Sequence, residues 1–368
     1  GQNLNISASQ LEKFNLCRFS YFCNYGLNVR ERQRAEINPM QYGTIVHYIL
    51  ERFFGEYTKE EYLSLEEDKF QKIVCAYLAE YAVKYFGEEQ LESNSFTYRL
   101  KTILDNVMYL MKHIMEELSQ SEFFVADCEL KIGEDIPSYT IVLPDGHKIA
   151  VCGSVDRVDI MPRADITYLR IIDYKTGTKQ FKLSDILYGI NLQMLLYLHS
   201  IEASGGDKYG EIVPAGILYM PATVPYISSD SLKSIDKLPD ELNKKLKMNG
   251  LLLKDTEIIH GMDKTDAATY IPVKIKAGEP VSSTSLATLA EFGKIFKKVD
   301  MLIAEMGKNI YNGNIEAKPL KGGHDSCEYC PYDSVCAYRQ SNPITCFSVD
   351  NKTVIEEITN EINGKEEE

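Results

Sequence analysis

The residue types of hydrolytic metal chemistry sit in two short segments, Cys152-Gly153-Ser154-Val155-Asp156-Arg157-Val158-Asp159 and Ile171-Ile172-Asp173-Tyr174-Lys175-Thr176-Gly177. On a strand, residues i and i+2 share a face, so Asp173 and Lys175 project together while Ile172 and Tyr174 point away. Asp156 belongs to the preceding strand, and a short hairpin-like connection brings it beside Asp173. Two carboxylates on one sheet face make a hard oxygen site suited to Mg²⁺ or Mn²⁺. An ammonium two residues along holds an attacking water and offsets charge developing on a phosphate. Asp-x-Lys alone is also an ordinary salt bridge on a sheet surface. Against that reading, Ile171-Ile172 marks a buried strand, whose end is a costly place for unneeded charge.

Further candidates accompany these two segments. Gln193 and Tyr197 lie four apart in the next helical stretch, so they share one face and can present their polar groups to a DNA backbone. His47 stands in the apolar stretch Gly43-Thr44-Ile45-Val46-His47, where a lone histidine is ordinarily structural. Near the end, Cys327-x-x-Cys330-x5-Cys336 places three thiols in a loop-rich stretch with a proline, a metal-ligand pattern that needs a fourth donor. Cys17, Cys23, His324 and Cys346 are the candidates for it, with zinc as the default ion. Cys75, Cys128 and Cys152 read as packed free thiols.

Positioning these groups takes an α/β arrangement. The first 120 residues read as mostly helical, with a capping box at Ser7-x-x-Gln10 or Ser9-x-x-Glu12 and helical periodicity over 43–56 and about 98–118. Four consecutive strands are expected at 123–132, 139–143, 149–160 and 166–174, with Pro144-Asp145-Gly146 turning between the second and third. A helix over about 184–200, a strand over 215–220 and an amphipathic helix over about 286–311 follow, separated by a mixed stretch at 230–290. The expected organisation is one domain over 1–350, with a helical part at 1–120, a catalytic core at 121–225, an insert and helix at 226–320, a cysteine clasp at 321–350 and an acidic tail at 351–368.

The 368 residues carry a formal net charge of −14, which argues against non-specific nucleic-acid binding unless the charge is local. It is local: 51–69 and 351–368 each contribute −4, while Arg30, Arg32 and Arg34 cluster and Arg157, Lys175, Lys179 and Lys182 surround the strand motifs. No apolar run spans a membrane, and the chain opens Gly1-Gln2-Asn3 with neither a leader nor an initiator methionine. A segment of a longer, cytoplasmic polypeptide is expected. Nine cysteines in a reducing compartment then point to metal before disulfide.

Taken in order, His47, Gly153-x-x-Asp156-Arg157-x-Asp159, Asp173-Tyr174-Lys175-Thr176-Gly177 and Gln193-x-x-x-Tyr197 resemble the motifs of the RecB-like branch of the PD-(D/E)xK nucleases. The resemblance implies a restriction-endonuclease-like core, a central mixed sheet flanked by helices. It implies Mg²⁺ or Mn²⁺ held by His47, Asp156, Asp173 and the Tyr174 carbonyl. Lys175 would aid the water, with Gln193 and Tyr197 positioning substrate. The stretch from Ser7 to Phe22 is similar to the start of nuclease domains with an iron–sulfur clasp, implying a structural [4Fe–4S] cluster on Cys17, Cys327, Cys330 and Cys336. Arg18 departs from the proline usual after the first of those cysteines. Lys247-Met248-Asn249-Gly250-Leu251-Leu252-Leu253, Gly261-Met262-Asp263 and Gly313-Asn314-Ile315 ahead of Pro319 resemble the C-terminal nuclease domains of the AddB chains of bacterial AddAB helicase–nucleases. That family implies a DNA exonuclease acting on the 5′-ended strand during double-strand break repair, beside an AddA-type partner that unwinds the duplex. No G-x-x-x-x-G-K-[ST] occurs, so ATP hydrolysis by this chain alone is not expected. Two alternatives are a stand-alone CRISPR-associated-type iron–sulfur exonuclease, which an insert at 230–290 disfavours, and a catalytically silent DNA-binding module.

Overall fold

The computed structural model describes residues 3–366 apart from 31–38, 88–92, 178–179, 225–237, 266, 337 and 339–342; Arg32, Arg34 and Lys179 lie outside the described residues. In chain order the main elements are β1 (Asn3–Ile6), α1 (Ala8–Leu16), α2 (Pro39–Glu56), α3 (Glu67–Phe86), α4 (Asn94–Ser119), β2 (Phe124–Ile132), β3 (Thr140–Val142), β4 (Lys148–Val151), β5 (Gly153–Arg163) and β6 (Ile166–Lys175). There follow α5 (Gln193–Ser204), β7 (Glu211–Pro221), β8 (Asn249–Leu253), β9 (Lys274–Lys276), β10 (Glu279–Val281), β11 (Leu286–Ala287), α6 (Leu289–Tyr311), β12 (Leu320–Gly322), β13 (Ile344–Cys346) and α7 (Asn351–Glu366). Ser7 and Gln10, not Ser9 and Glu12, form the capping box of α1.

The central sheet has six strands in the order β11-β8-β7-β6-β5-β2. β5 lies antiparallel to both β2 and β6, whereas β6 and β7 are parallel, with α5 lying in the crossover between them. Leu169 to Tyr174 of β6 are all buried, as a strand covered on both faces requires. The mixed α/β fold expected from the sequence is therefore present, with four local differences. The run 149–160 is two strands: the chain turns at Cys152, whose N–H donates to Ile6 O, so that β4 joins β1 and β3 in a separate sheet. The stretch 184–200 breaks at Gly189 and Asn191, both at positive φ (68° and 54°), into a 3₁₀ turn and α5. The helix read from 286 begins at Leu289, with Thr288 and Glu291 as its capping box and 286–287 in β11. The segment read as an acidic tail is helix α7, which inserts Val354, Ile358 and Ile362 into the main core and pairs Glu361 with Lys298.

The stretch read as an insert is also structural, because β8 and β11 complete one side of the central sheet. Gly250 makes this pairing feasible: a methyl group there would collide with Ile217 O of β7. Beneath β5 and β6 lies an ion cluster with no solvent access. Arg157 Nε and Nη2 donate to Asp159 at 2.7 Å each, and Arg157 Nη2 also reaches Glu117 of α4 at 3.0 Å. Arg170 donates to the same two carboxylates, at 3.0 Å to Asp159 and 2.6 Å to Glu117. Two guanidiniums against two carboxylates cancel in charge, and the short bidentate geometry replaces the water they lose. Removing one member leaves a buried charge unanswered. Asp159→Ala is expected to lower unfolding free energy by about 3–5 kcal/mol, read by urea denaturation. A loss below about 1 kcal/mol, the level of an exposed pair, would show that the cluster does not hold β5 and β6 together.

Candidate functional site

Arg157 of β5 stands opposite Ile172 of β6, so their neighbours Asp156 and Asp173 leave the sheet on the same face, the one opposite the ion cluster. Asp156 Oδ2 accepts the Tyr174 N–H at 2.9 Å, which fixes that carboxylate across the end of β6. Asp173 is buried, and Lys175 Nζ lies 2.5 Å from its Oδ2. The same ammonium sits 5.7 Å from the centre of the Tyr219 ring on β7. Helix α2 supplies His47, whose Nε2 is 3.6 Å from Asp156 Oδ2 and whose ring meets Tyr174 edge-on. His47, Asp156, Asp173 and Lys175 thus meet at one end of the sheet, beside a cleft of about 680 Å³ lined by His47, Glu129, Tyr174 and Lys175.

Sequence reasoning missed Glu129 of β2. Its carboxylate accepts from His47 Nδ1 at 2.9 Å and from Ser154 Oγ at 2.9 Å. An ionised carboxylate only accepts, so Nδ1 carries the proton and Nε2 is turned toward Asp156. Among the described residues, His47, Glu129 and Asp156 form the one group of three candidate ligands whose donor atoms lie within 4.8 Å of one another. One imidazole and two carboxylates suit a divalent cation of the Mg²⁺ or Mn²⁺ class. Glu129 has φ 51°, a left-handed backbone uncommon for glutamate, between the ladder pairs Cys128–Arg157 and Leu130–Val155 of β2 and β5. In sequence, Glu129 alternates with Cys128 and Leu130 and reads as a solvent-facing strand residue. Only its place opposite Asp156 reveals it.

Gln193 and Tyr197 sit in the first turn and a half of α5, yet Tyr197 is buried. Its phenolic oxygen packs against Gly153, where a methyl group would collide with it, and accepts the Ala8 N–H. Burial pushes the phenol up to about 12, while the Ala8 N–H pulls the other way. This contact gives Gly153 of the motif a steric reason. The other motif residue, Asp159, belongs to the ion cluster and faces away from the site.

The cysteine segments meet at a junction between the two ends of the chain. Tyr332 donates to Val29 O at 2.8 Å and contacts Asn24 Oδ1 at 3.3 Å, and Lys13 lies 6.0 Å from the Tyr332 ring centre. Burial raises the Cys17 and Cys23 thiols, and the nearby Cys330 and Cys336 raise both further. Cys327 instead lies beside Lys321. The structure thus brings Cys17, Cys330 and Cys336 near one another and adds Cys23 to them, while Cys327 contacts Lys321.

The model of the PD-(D/E)XK nuclease superfamily matches residues 5–337. The B-type subunit of an ATP-dependent helicase/deoxyribonuclease from Thermoanaerobacter sp. (strain X514) is 35% identical over 347 residues, 91% of this chain and 30% of that protein. Proteins of the same name from Clostridium kluyveri (strain NBRC 12016) and Alkaliphilus oremlandii (strain OhILAs) are 34% and 33% identical, over 100% and 97% of this chain and 33% and 32% of their own lengths. The chain spans about a third of the length of these curated relatives. No described helix is long and apolar enough to cross a membrane.

Like charge concentrated in little water sets the site's titration. Burial, then the charge of Asp173, push Asp156 up to about 7, against the pull of His47 and the Tyr174 N–H. Burial works against a charged His47, but the Glu129 hydrogen bond and the charges of Asp156, Glu129 and Asp173 outweigh it and raise the imidazole above its ordinary value. Glu129 stays below its ordinary range, because the His47 and Ser154 hydrogen bonds outweigh its burial. An Asp raised on folding stabilises the fold while protonated; that contribution is whole below about pH 4 and is lost as pH rises through about 7. In chelated protein, melting temperature is therefore expected to fall from pH 5 to pH 8 more steeply in wild type than in Asp156→Asn. Parallel melting curves for the two would contradict the burial of an ionised Asp156.

Proposed function

The chain belongs to the PD-(D/E)XK nuclease superfamily, and from that premise we propose that it is the nuclease part of a helicase–nuclease subunit that hydrolyses phosphodiester bonds in DNA. The observation that carries the reading is the convergence of His47, Asp156, Asp173 and Lys175 at one end of β5 and β6. When bound, a divalent metal supplies charge neutralisation and Lewis-acid polarisation at the scissile phosphate. Asp156, Asp173, His47 Nε2 and the Tyr174 carbonyl are its proposed ligands. Glu129 keeps the other imidazole nitrogen occupied and so holds the ring in one orientation. Lys175 orients the attacking water and offsets charge building on the phosphate oxygens. Water adds to phosphorus and releases a proton to solvent, the ester P–O bond breaks, and the departing oxygen takes up a proton from solvent. Gln193 and Tyr197 act as positioning residues, Tyr197 by seating α5 on Gly153.

The relatives named above are helicase/deoxyribonuclease subunits, which favours the subunit reading over a stand-alone nuclease. The substrate is then a single-stranded DNA end delivered by an AddA-type partner, with the 5′-ended strand degraded by family analogy. Cys17, Cys327, Cys330 and Cys336 are the proposed ligands of a structural [4Fe–4S] cluster. The tie from Tyr332 to Val29 supports this reading, because it joins the two cysteine segments across about 300 residues. Closing so long a loop removes much chain entropy from the unfolded state. Hydrolysis itself uses no electron transfer, so the cluster's work is to hold the clasp shut.

Two measurements test the reading. Asp173→Ala and Lys175→Ala are each expected to lower Mg²⁺-dependent cleavage of end-labelled single-stranded DNA at least ~100-fold; wild-type rates in both would sink the site assignment. Anaerobically purified protein is expected to be brown with about four irons per chain, and Cys330→Ser to lose both the colour and most of the thermal stability. A colourless wild-type preparation containing zinc would replace iron by zinc at the clasp.

A further inference from the structure

Beyond the metal-binding end, the cleft has an aromatic wall that the hydrolytic chemistry leaves unused. Tyr48 of α2 and Tyr81 and Tyr85 of α3 line the same cleft as His47 and Lys175. Their rings adjoin: Tyr48 to Tyr81 is 5.2 Å between centroids at 59°, and Tyr81 to Tyr85 is 4.4 Å at 35°. The inner ring, Tyr81, is 5% exposed, whereas the outer ring, Tyr85, is 56% exposed. Lys84 holds its ammonium 5.1 Å from the Tyr85 ring centre and 6.0 Å from that of Tyr48. Tyr48 is fixed by donating to Glu80 at 2.8 Å. An exposed phenol ring packed against a buried one, with a cation over it, is a surface for another flat ring.

We propose that Tyr85, backed by Tyr81 and Tyr48, is a base-stacking subsite that seats the single DNA strand as it enters the cleft, with Lys84 near the backbone phosphate. The inference rests on the nuclease reading for its substrate class and adds a place and a mode of binding. Three features on this surface favour a nucleic-acid base over an apolar peptide side chain. The wall is continuous with the residues proposed to work on a phosphodiester. Lys131, a cation of the cleft lining itself, adds to the charge that Lys84 supplies. Stacking also suits an enzyme that must pass any sequence, since every base offers a π-face. His47 and Tyr48 are adjacent on α2, so one helix contributes to both the wall and the metal-binding end.

Binding is measured in an Asp173→Ala background, where the strand stays whole, by anisotropy of a labelled oligothymidylate. Tyr85→Ala is expected to weaken binding about tenfold, the effect of one lost base–aromatic contact. Tyr85→Phe and Tyr85→Trp are expected to stay within about threefold of the parent. An oligonucleotide with abasic sites is expected to bind the parent weakly and to show no further loss with Tyr85→Ala. Because the chain has no tryptophan, Tyr85→Trp also creates a sole indole at the wall, and its emission is expected to be quenched by the strand. Equal affinity of Tyr85→Ala and parent, or equal loss for intact and abasic strands, would overturn the stacking subsite. The two readings fail separately. A wild-type chain that stacks DNA but never cleaves it refutes the nuclease and keeps the wall, whereas one that cleaves while Tyr85→Ala binds normally refutes the wall alone.

Discussion

Four charged side chains without water fix the geometry on which the rest of this structure depends. Arg157, Arg170, Asp159 and Glu117 are each wholly buried, and their cost of desolvation is met only while all the short contacts hold together. Those contacts tie β5 to β6 and both to α4. Strand periodicity does the rest: with Arg157, Asp159 and Arg170 locked inward, Asp156 and Asp173 must project from the opposite face. A slip of one residue would bury the wrong charges and scatter the site. Arg157 also reaches the Tyr174 hydroxyl at 3.3 Å, so the cluster steadies the residue between Asp173 and Lys175. The motif Asp-Arg-x-Asp thereby serves two faces of one strand.

Opposite faces of one strand also explain which parts of the site the sequence made legible. Asp156, Asp173 and Lys175 were readable because period-2 alternation and a buried apolar run are local properties. Glu129 was not, since its role comes from cross-strand pairing with β5 and an unusual backbone angle, neither of which leaves a mark in Cys128-Glu129-Leu130-Lys131. The break at Gly189 was hidden because residues 184–200 carry helical periodicity on both sides of it. The terminal segment misled through composition. Its six glutamates read as a solvated tail, while three apolar residues at helical spacing, Val354, Ile358 and Ile362, bind it to the core. Sparse apolar stripes decide docking even where charge dominates the count.

The acidic total bears on function only through its distribution. Segments 51–69 and 351–368 together hold −8 of the −14. Much of what remains acidic near the site is answered within it: Glu129 by His47 and Ser154, Asp173 by Lys175, Glu80 by Tyr48 and Arg52. A polyanion approaching this cleft meets Lys131 and Lys175 in its lining, together with Glu51 and Glu129.

One unanswered charge remains, and it shapes the chemistry. Asp156 and Asp173 leave adjacent strands on one face with a single ammonium between them, so Asp156 is driven toward neutrality when nothing else is bound. His47 Nε2 faces Asp156 Oδ2 at 3.6 Å, and the surrounding carboxylates raise its imidazole above the ordinary value. A divalent cation held between them would supply more positive charge than the imidazole can. A carboxylate must be deprotonated to bind a metal, so the affinity of a cation for Asp156 would depend on pH around neutrality. A site prepared in this way carries its electrostatic tension in the empty state and loses it on loading. The buried ion cluster on the far side makes that tension sustainable, because β5 and β6 cannot splay to relieve it.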